Sequence, residues 1–517
     1  MAATSTYNGI PNNTHPNWWQ DPSLRKNAFW LFICALASVY AGYDGSLLNG
    51  LQALPKFFET FPGLTDSNLL GLTGAVQFLP GLVVPFAVAY VADRFGRKVA
   101  LLAASTGIIV GAVIQCTSNQ LGVFIASRVI IGTAGQFGLP MSATALVELA
   151  HPRIRGVASA LNLCCYYIGS IIASWATFGT LQHFPESSWS WRLPSLLQAL
   201  VPALILVPTF FLPESPRWLI NKGRIQEARV VLSQQHANGE MDDPLVLFEL
   251  AEIERAISEE KAVSGNKSPG WLDFFKTKGN RWRFFIVAHV GVGAQWNGVG
   301  IVSYYLVPVL ASVGITDPTK QTLVTGGLSI SNLCFAVAGA FMVERMGRRP
   351  LWFISTGGML VCMIVVTALS ATFLKDNNAA VGGAVVAFLY LFYGFYDIAW
   401  TPLNLAYPVE VLSFSLRAKG MSLWSLFGSV ALCLNTWVNP IALKAIGFWY
   451  YIVYIGVLVY LLIIAYFFFP ETKGLSLEEV AERFDGHSLD VTVQGAVNEF
   501  TTEVKPEIHE IEGKESV

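Results

Sequence analysis

Three strongly charged side chains lie deep inside long apolar runs of this 517-residue chain: Asp44, Arg128 and Asp397. A carboxylate near the middle of a membrane helix is costly to ionise and is a functional residue by default. Burial favours the protonated acid and a nearby cation favours the ionised one. An acid whose cationic partner can come and go would therefore take up and release a proton. Asp44 and Arg128 form such a candidate pair, the other reading being a static ion pair that fixes two helices together. Asp397 stands 13 residues before Glu410, or about 20 Å along a helix rising 1.5 Å per residue. It could bind a hydroxyl, share the proton, or pair with a neighbouring backbone or Tyr group.

The elements that hold these residues are set by composition. The chain is 53% hydrophobic and 13% charged, against roughly 25% charged residues in soluble proteins. Spans of about 20 apolar residues fall at 29–49, 69–92, 99–116, 121–147, 156–180, 193–212, 283–311, 321–343, 350–374, 381–408, 418–439 and 447–469. Twelve spans put both termini on one side. The basic residues of YVADRFGRK, Arg153, Arg155, Arg345, Arg348, Arg349, Arg417 and Lys419 crowd the turns of one side, while the other carries Lys56, Arg192, Lys320, Lys375 and Lys444. The termini and the long middle loop are therefore expected in the cytoplasm.

Three motifs recur: Asp93 to Arg97 as Glu344 to Arg348, Glu148 to Arg155 as Glu410 to Arg417, and Pro213-Glu214 as Pro470-Glu471. Their offsets of 251 (93 to 344), 262 (148 to 410) and 257 (213 to 470) residues describe two parallel halves, the repeat plan of a transporter with its substrate site at the repeat interface. The expected organisation is a tail (1–28), a first six-helix half (29–212), a linker with amphipathic helices (213–282), a second half (283–470) and a tail (471–517). The polar start, without a basic-then-apolar leader, predicts no cleaved signal peptide. The formal net charge of −2 offers no basis for nucleic-acid binding. The seven cysteines all lie in apolar runs without metal-ligand spacing, and no Ser/His/Asp or phosphate-cradling arrangement is present, so no enzymatic activity, cofactor or metal is expected.

The ordered set GYDGSLLNG, DRFGRK, ELAHPRIRG, PESPRW, the 295–305 stretch, ERMGRR, YPVEVL…RAKG and PETKG resembles the sugar porter family of the major facilitator superfamily over nearly the whole chain. AQWNGVGIVSYY, AWTPLNLAYPVEV, HANG and LDFFKTKGNRWR are similar to the fungal branch with lactose permeases and cellodextrin transporters. The resemblance implies an all-α membrane protein of the major facilitator fold: 12 helices in two six-helix halves, moving sugars by alternating access, often with a proton. Proton symporters of this family pair an acid and an arginine at the places of Asp44 and Arg128. The implied partners are a sugar, a proton and the bilayer of the cell membrane, the carrier acting as a monomer. A hexose facilitator, an exporter of a sugar-like metabolite and a non-transporting sugar sensor are alternatives, the last disfavoured by the short tail after Pro470.

Sugar hydroxyls left unpaired on burial cost roughly 1–3 kcal/mol each, and amides answer them without a charge to desolvate. Gln295, Asn297, Asn332, Asn404, Asn435 and Asn162 are the candidate amides, and Tyr304, Tyr305 and Trp400 the candidate ring-covering aromatics. The family's span-10 Trp is replaced by Leu405 and a family Asn by Gly300, which suggests a roomier cavity and a disaccharide. At the basic end, Asp93, Arg97, Glu148 and Arg155 with Glu214 and Arg217, and their copies Glu344, Arg348, Glu410 and Arg417, with Glu471, are the expected cytoplasmic gate. Topology alone would also place arginines here, but it gives no reason for acids at matched spacing.

Overall fold

The computed structural model describes residues 5–7, 10–265, 270–473, 480 and 483–484. Apart from a small antiparallel pair, Ser5–Tyr7 with Ile10–Asn12, its regular structure is helical. The first half comprises α1 (Pro22–Leu51), α2 (Pro55–Thr60), α3 (Ser67–Ala75), α4 (Val84–Thr117), α5 (Leu121–Leu149), α6 (Pro152–His183), α7 (Trp189–Leu197) and α8 (Leu200–Thr209). The linker carries α9 (Pro216–Asn221), α10 (Ile225–His236), α11 (Pro244–Gly265) and α12 (Asp273–Lys276). The second half comprises α13 (Lys278–Trp296), α14 (Val299–Ser312), α15 (Pro318–Met346), α16 (Arg348–Asp376), α17 (Ala379–Val411), α18 (Phe414–Ile446) and α19 (Tyr450–Phe468).

Among the described residues, ten helices are long and apolar enough to cross a membrane. The difference from twelve has two local causes. The last of the ten, residues 419–468, contains both α18 and α19, which part at Gly447 (φ 55°). The second expected span is broken: α3 stops at Ala75 and a 3-10 turn covers Leu79–Leu82 before α4 begins. Pro80 and Pro85 lack the N–H that an uninterrupted helix would need. The seventh span is broken as well, between α13 and α14, where Gly298 adopts φ 96°. Large apolar side chains such as Phe86, Phe341 and Phe467 are exposed, as they must be on helices that face lipid.

Within the first half α1 packs on α6 and α4 on α5; within the second, α13 packs on α18 and α16 on α17. Gly42 and Gly169 let the α1 and α6 backbones approach so closely that a Cβ at either would strike the opposite main chain. The halves meet where α6 packs on α15, α3 on α18 and α1 on α14.

The linker is tied to the first half by polar contacts at the basic end. His236 Nδ1 lies 2.6 Å from Glu249 Oε2, and its Nε2 lies 3.0 Å from the Leu149 carbonyl. Asn12 and Asn13 bond to Asp243, and Asn238 donates to Asp21, which caps the start of α1. Burial, then His236, Arg153 and Arg155, hold the neighbouring His151 imidazole down to about 2 and therefore neutral. Most of the C-terminal tail lies outside the described residues.

Candidate substrate and proton site

A cavity of about 400 Å3 lies between the two halves, within the ~300–1,000 Å3 range of ligand pockets. Asp44 and Tyr40 come from α1, Gln77 and Phe78 from the break after α3, Gln136 from α5, and Tyr166 and Tyr167 from α6. The second half adds Gln295, Ser303 and Tyr304 around the α13–α14 break, and Tyr393, Tyr396, Thr401 and Asn404 from α17. Among the described lining residues Asp44 is the one charged side chain; the other polar groups are neutral amides and hydroxyls.

The side of the cavity away from the basic turns is sealed by bonds between the halves. Gln52 donates to the Tyr304 carbonyl at 2.8 Å, Leu306 N donates to Asn49 Oδ1 at 3.1 Å, and Trp437 Nε1 donates to Asn68 Oδ1 at 2.7 Å. Ser170 and Ser174 both meet Ser329, at 2.9 and 3.2 Å. Toward the basic end the lining continues through Asn404, Leu139 and Pro140, the last two of them exposed. The bonds between the halves that close the cavity thus lie on the side away from the basic turns.

Asp44 and Arg128 are both buried, 5% and 4% exposed, yet they are not in ion-pair contact. The guanidinium instead donates to Gln77 Oε1 at 2.5 Å and to the Thr73 carbonyl at 2.8 Å. That carbonyl is free because α3 ends two residues later, at Ala75. Asp44 Oδ1 is buried without a hydrogen-bond partner among the described residues. Asp397 is fully buried and bridges the halves: Tyr167 donates to its Oδ1, and Thr401 donates to the same atom at 2.9 Å.

Of the nine expected sugar ligands, Gln295, Tyr304 and Asn404 line the cavity. Asn332 lines a smaller polar annex on the sealed side, beyond Tyr166, Ser303 and Tyr393. The other five are turned into helix packing. Asn162 accepts from Ser38 at 2.9 Å, and Asn297 takes the Val299 N–H at the helix break. Tyr305 donates to the Thr436 carbonyl, and Trp400 is wedged against Trp352 and donates to Thr356. Asn435 donates to the Gln295 carbonyl. The expectation that Gly300 enlarges the cavity is not met, because Gly300 faces Asn435, whose amide occupies the vacated space. Gln77, Tyr40, Tyr166, Tyr167, Tyr393 and Tyr396 were not anticipated. Their only signal is a polar group on an apolar helix, shared with residues that merely join helices.

At the basic end the duplication is visible in three dimensions. Arg97 binds Glu148 at 2.9 Å, and Arg348 binds Glu410 at 2.8 Å, each pair within one half. Glu214 accepts from Arg97 N at 3.0 Å, and Glu471 from Arg348 N and Arg349 N, both at 2.9 Å. Both turns carry a glycine at positive φ, Gly96 (87°) and Gly347 (93°), and a Cβ at either would press on the bound carboxylate. Burial pushes the Glu471 carboxyl up, but the N–H groups of Arg348, Lys473, Arg349 and Thr472 outweigh it and hold it below the usual range. Arg155 turns to the linker, reaching Glu249 at 3.5 Å. Asp93 is exposed and gives its carbonyl to Trp218. Arg217 lies on α9 and Arg417 near the start of α18, while the Glu344 side chain lies outside the described residues.

This helical plan, with an inter-half cavity and duplicated charged turns, is that of a major facilitator carrier. Residues 30–484 match the family described as "Sugar (and other) transporter", and the chain belongs to that family, which is one of carriers and not of enzymes. It is 31% identical to the MFS-type transporter oryC of Aspergillus oryzae over 468 residues, covering 88% of this chain and 85% of that one. It is 29% identical to a high-affinity glucose transporter of Kluyveromyces lactis (87% and 83% covered) and 26% identical to a quinate permease of Neurospora terricola (88% of each). Among solved structures, the inward open conformation of the xylose transporter XylE from E. coli superposes with a TM-score of 0.73 at 20% identity, covering 88% and 99%. The proton:xylose symporter XylE bound to 6-bromo-6-deoxy-D-glucose gives 0.70 at 21% identity, covering 89% and 100%.

Proposed function

We propose that this chain is a proton-coupled importer of a neutral sugar, up to a disaccharide of the lactose or cellobiose type, working by alternating access at the cell membrane. The observation that carries this reading is the cavity lining: one acid, Asp44, among neutral amides and tyrosine hydroxyls contributed by both halves. Amides and phenols answer hydroxyls in either hydrogen-bonding sense, and tyrosine rings cover a pyranose face. An anionic polyol such as quinate would find no cation among the described lining residues, so the quinate permeases among the relatives are the weaker guide to substrate.

In this reading Gln295, Tyr304 and Asn404 hold the sugar directly and Asn332 extends the site into the annex. Asp44 carries the proton, and Asp397, locked to Tyr167 across the halves, is a second proton-holding carboxyl that senses their approach. The positive-inside rule makes the basic end cytoplasmic, so the cavity faces inward. The charged sets around Arg97 and Arg348 brace the base of each half and are brought together, as a gate, when the halves rock closed there. Substrate moves this balance only through its different affinity for the two states.

The decisive experiment is uptake of labelled glucose, xylose, lactose, cellobiose and quinate in a carrier-deficient cell, with and without a protonophore. Uphill accumulation of a neutral sugar that collapses with the gradient is expected. Accumulation that survives the collapse would overturn coupling; uptake of quinate alone would overturn the sugar assignment.

A further inference from the structure

The break between α13 and α14 leaves carbonyls at the end of α13 without helical donors, a costly condition inside a membrane bundle. One of them, the carbonyl of Gln295, is answered by a side chain from another helix: Asn435 Nδ2, from α18, donates to it. Asn435 is 4% exposed and does not line the cavity. Its amide cannot rotate without breaking a directed chain. Asn439 Nδ2 donates to Asn435 Oδ1 at 2.5 Å, and Asn439 Oδ1 in turn accepts from Tyr454 at 2.6 Å and Tyr450 at 3.0 Å. A carbonyl can only accept, so Asn435 must turn its Nδ2 to Gln295 and its Oδ1 to Asn439, which fixes its orientation.

Gly300, on the first turn of α14, makes room for this amide. A Cβ there would lie 2.9 Å from Asn435 Oδ1 and 3.3 Å from Asn439 Nδ2. The Gln295 side chain itself has no hydrogen-bond partner among the described residues and opens onto the cavity, so its position is set through its backbone. We infer that Asn435, oriented by Asn439 and Tyr454, is a positioning residue for Gln295: by pinning the carbonyl at the helix break it fixes where the Gln295 side-chain amide meets the sugar. This rests on the proposal above that Gln295 binds the substrate.

The test is a double-mutant cycle on uptake of labelled glucose, or of cellobiose if that is the better substrate of the panel, with surface expression measured on a fluorescent fusion. Gln295→Ala raises KM about tenfold and Asn435→Ala about three- to tenfold, each with little change in the maximal rate, the pattern of lost ground-state binding. In the Gln295→Ala background, Asn435→Ala adds less than about twofold, because the group it positions is gone. Gly300→Ala, which crowds the same amide, reproduces the Asn435→Ala change, and Tyr454→Phe gives a smaller one. If Asn435→Ala does not reach the membrane, the last two variants run the same cycle. Multiplying effects in the double variant would overturn the positioning role while leaving Gln295 as a ligand. An unchanged KM in Gln295→Ala alone would sink the ligand assignment, and this inference with it.

Discussion

Arg128 gives its guanidinium to Gln77 and to the Thr73 carbonyl, and not to Asp44. The two residues sit in one buried region, but the break after α3 supplies the arginine with other acceptors, and one Asp44 oxygen has no hydrogen-bond partner among the described residues. That separation is what the proposed proton-carrying role of Asp44 rests on, in place of a static ion pair. The same break touches the second half, because a Cβ at Gly74 would lie 2.8 Å from the Tyr305 hydroxyl. The position of Arg128 is thus linked through α3 to the seal between the halves.

Asp44→Asn cannot ionise but keeps the shape of the site. It is expected to abolish uphill accumulation while sugar exchange across the membrane persists. The comparison is net uptake against counterflow in the same vesicles; concentrative uptake at the wild-type level would remove Asp44 from the coupling step.

Gln77→Leu removes the side-chain acceptor that holds Arg128. The arginine is then expected to turn to Asp44 and form the static pair, slowing concentrative uptake about tenfold with a smaller change in KM. Initial rates over a range of sugar concentrations would reveal this, and an unaltered rate would separate Gln77 from the mechanism.

Gly96→Ala and Gly347→Ala force an L side chain into positive φ and push a methyl against Glu214 or Glu471. Each should cost ~1–3 kcal/mol and lower the unfolding midpoint in detergent. Gly223→Ala is the control: φ is 77° but nothing lies within 4 Å of the added Cβ. Equal losses at all three would mean that only backbone strain, and not the seat of the carboxylate, is at stake.

Glu471 is held below its ordinary value of 4.5 in the folded chain by backbone donors. A group with a depressed folded value stabilises above its unfolded value, and that contribution fades as pH falls through the folded one. Wild type should therefore lose more thermal stability than Glu471→Gln when pH drops below about 4.5. Parallel curves for the two proteins would show that the carboxylate adds nothing.

Much of this molecule follows from local chemistry alone. Runs of about 20 apolar residues must be helices in lipid, because no other backbone arrangement there satisfies its own hydrogen bonds except a closed barrel. The repeated DRFGRK and ERMGRR turns, with acids at matched spacing, likewise announce two halves and the pairs Arg97–Glu148 and Arg348–Glu410. Tertiary structure alone decided which polar side chains meet the cavity. Gln295 and Asn435 are both amides in apolar helices, yet one opens to the cavity and the other feeds a backbone carbonyl. Trp400 is buried against Trp352, while Tyr166 and Tyr393 line the site. The reason is geometric. A side chain's direction depends on helix rotation and on breaks such as Gly298, and both are settled by packing against helices distant in sequence.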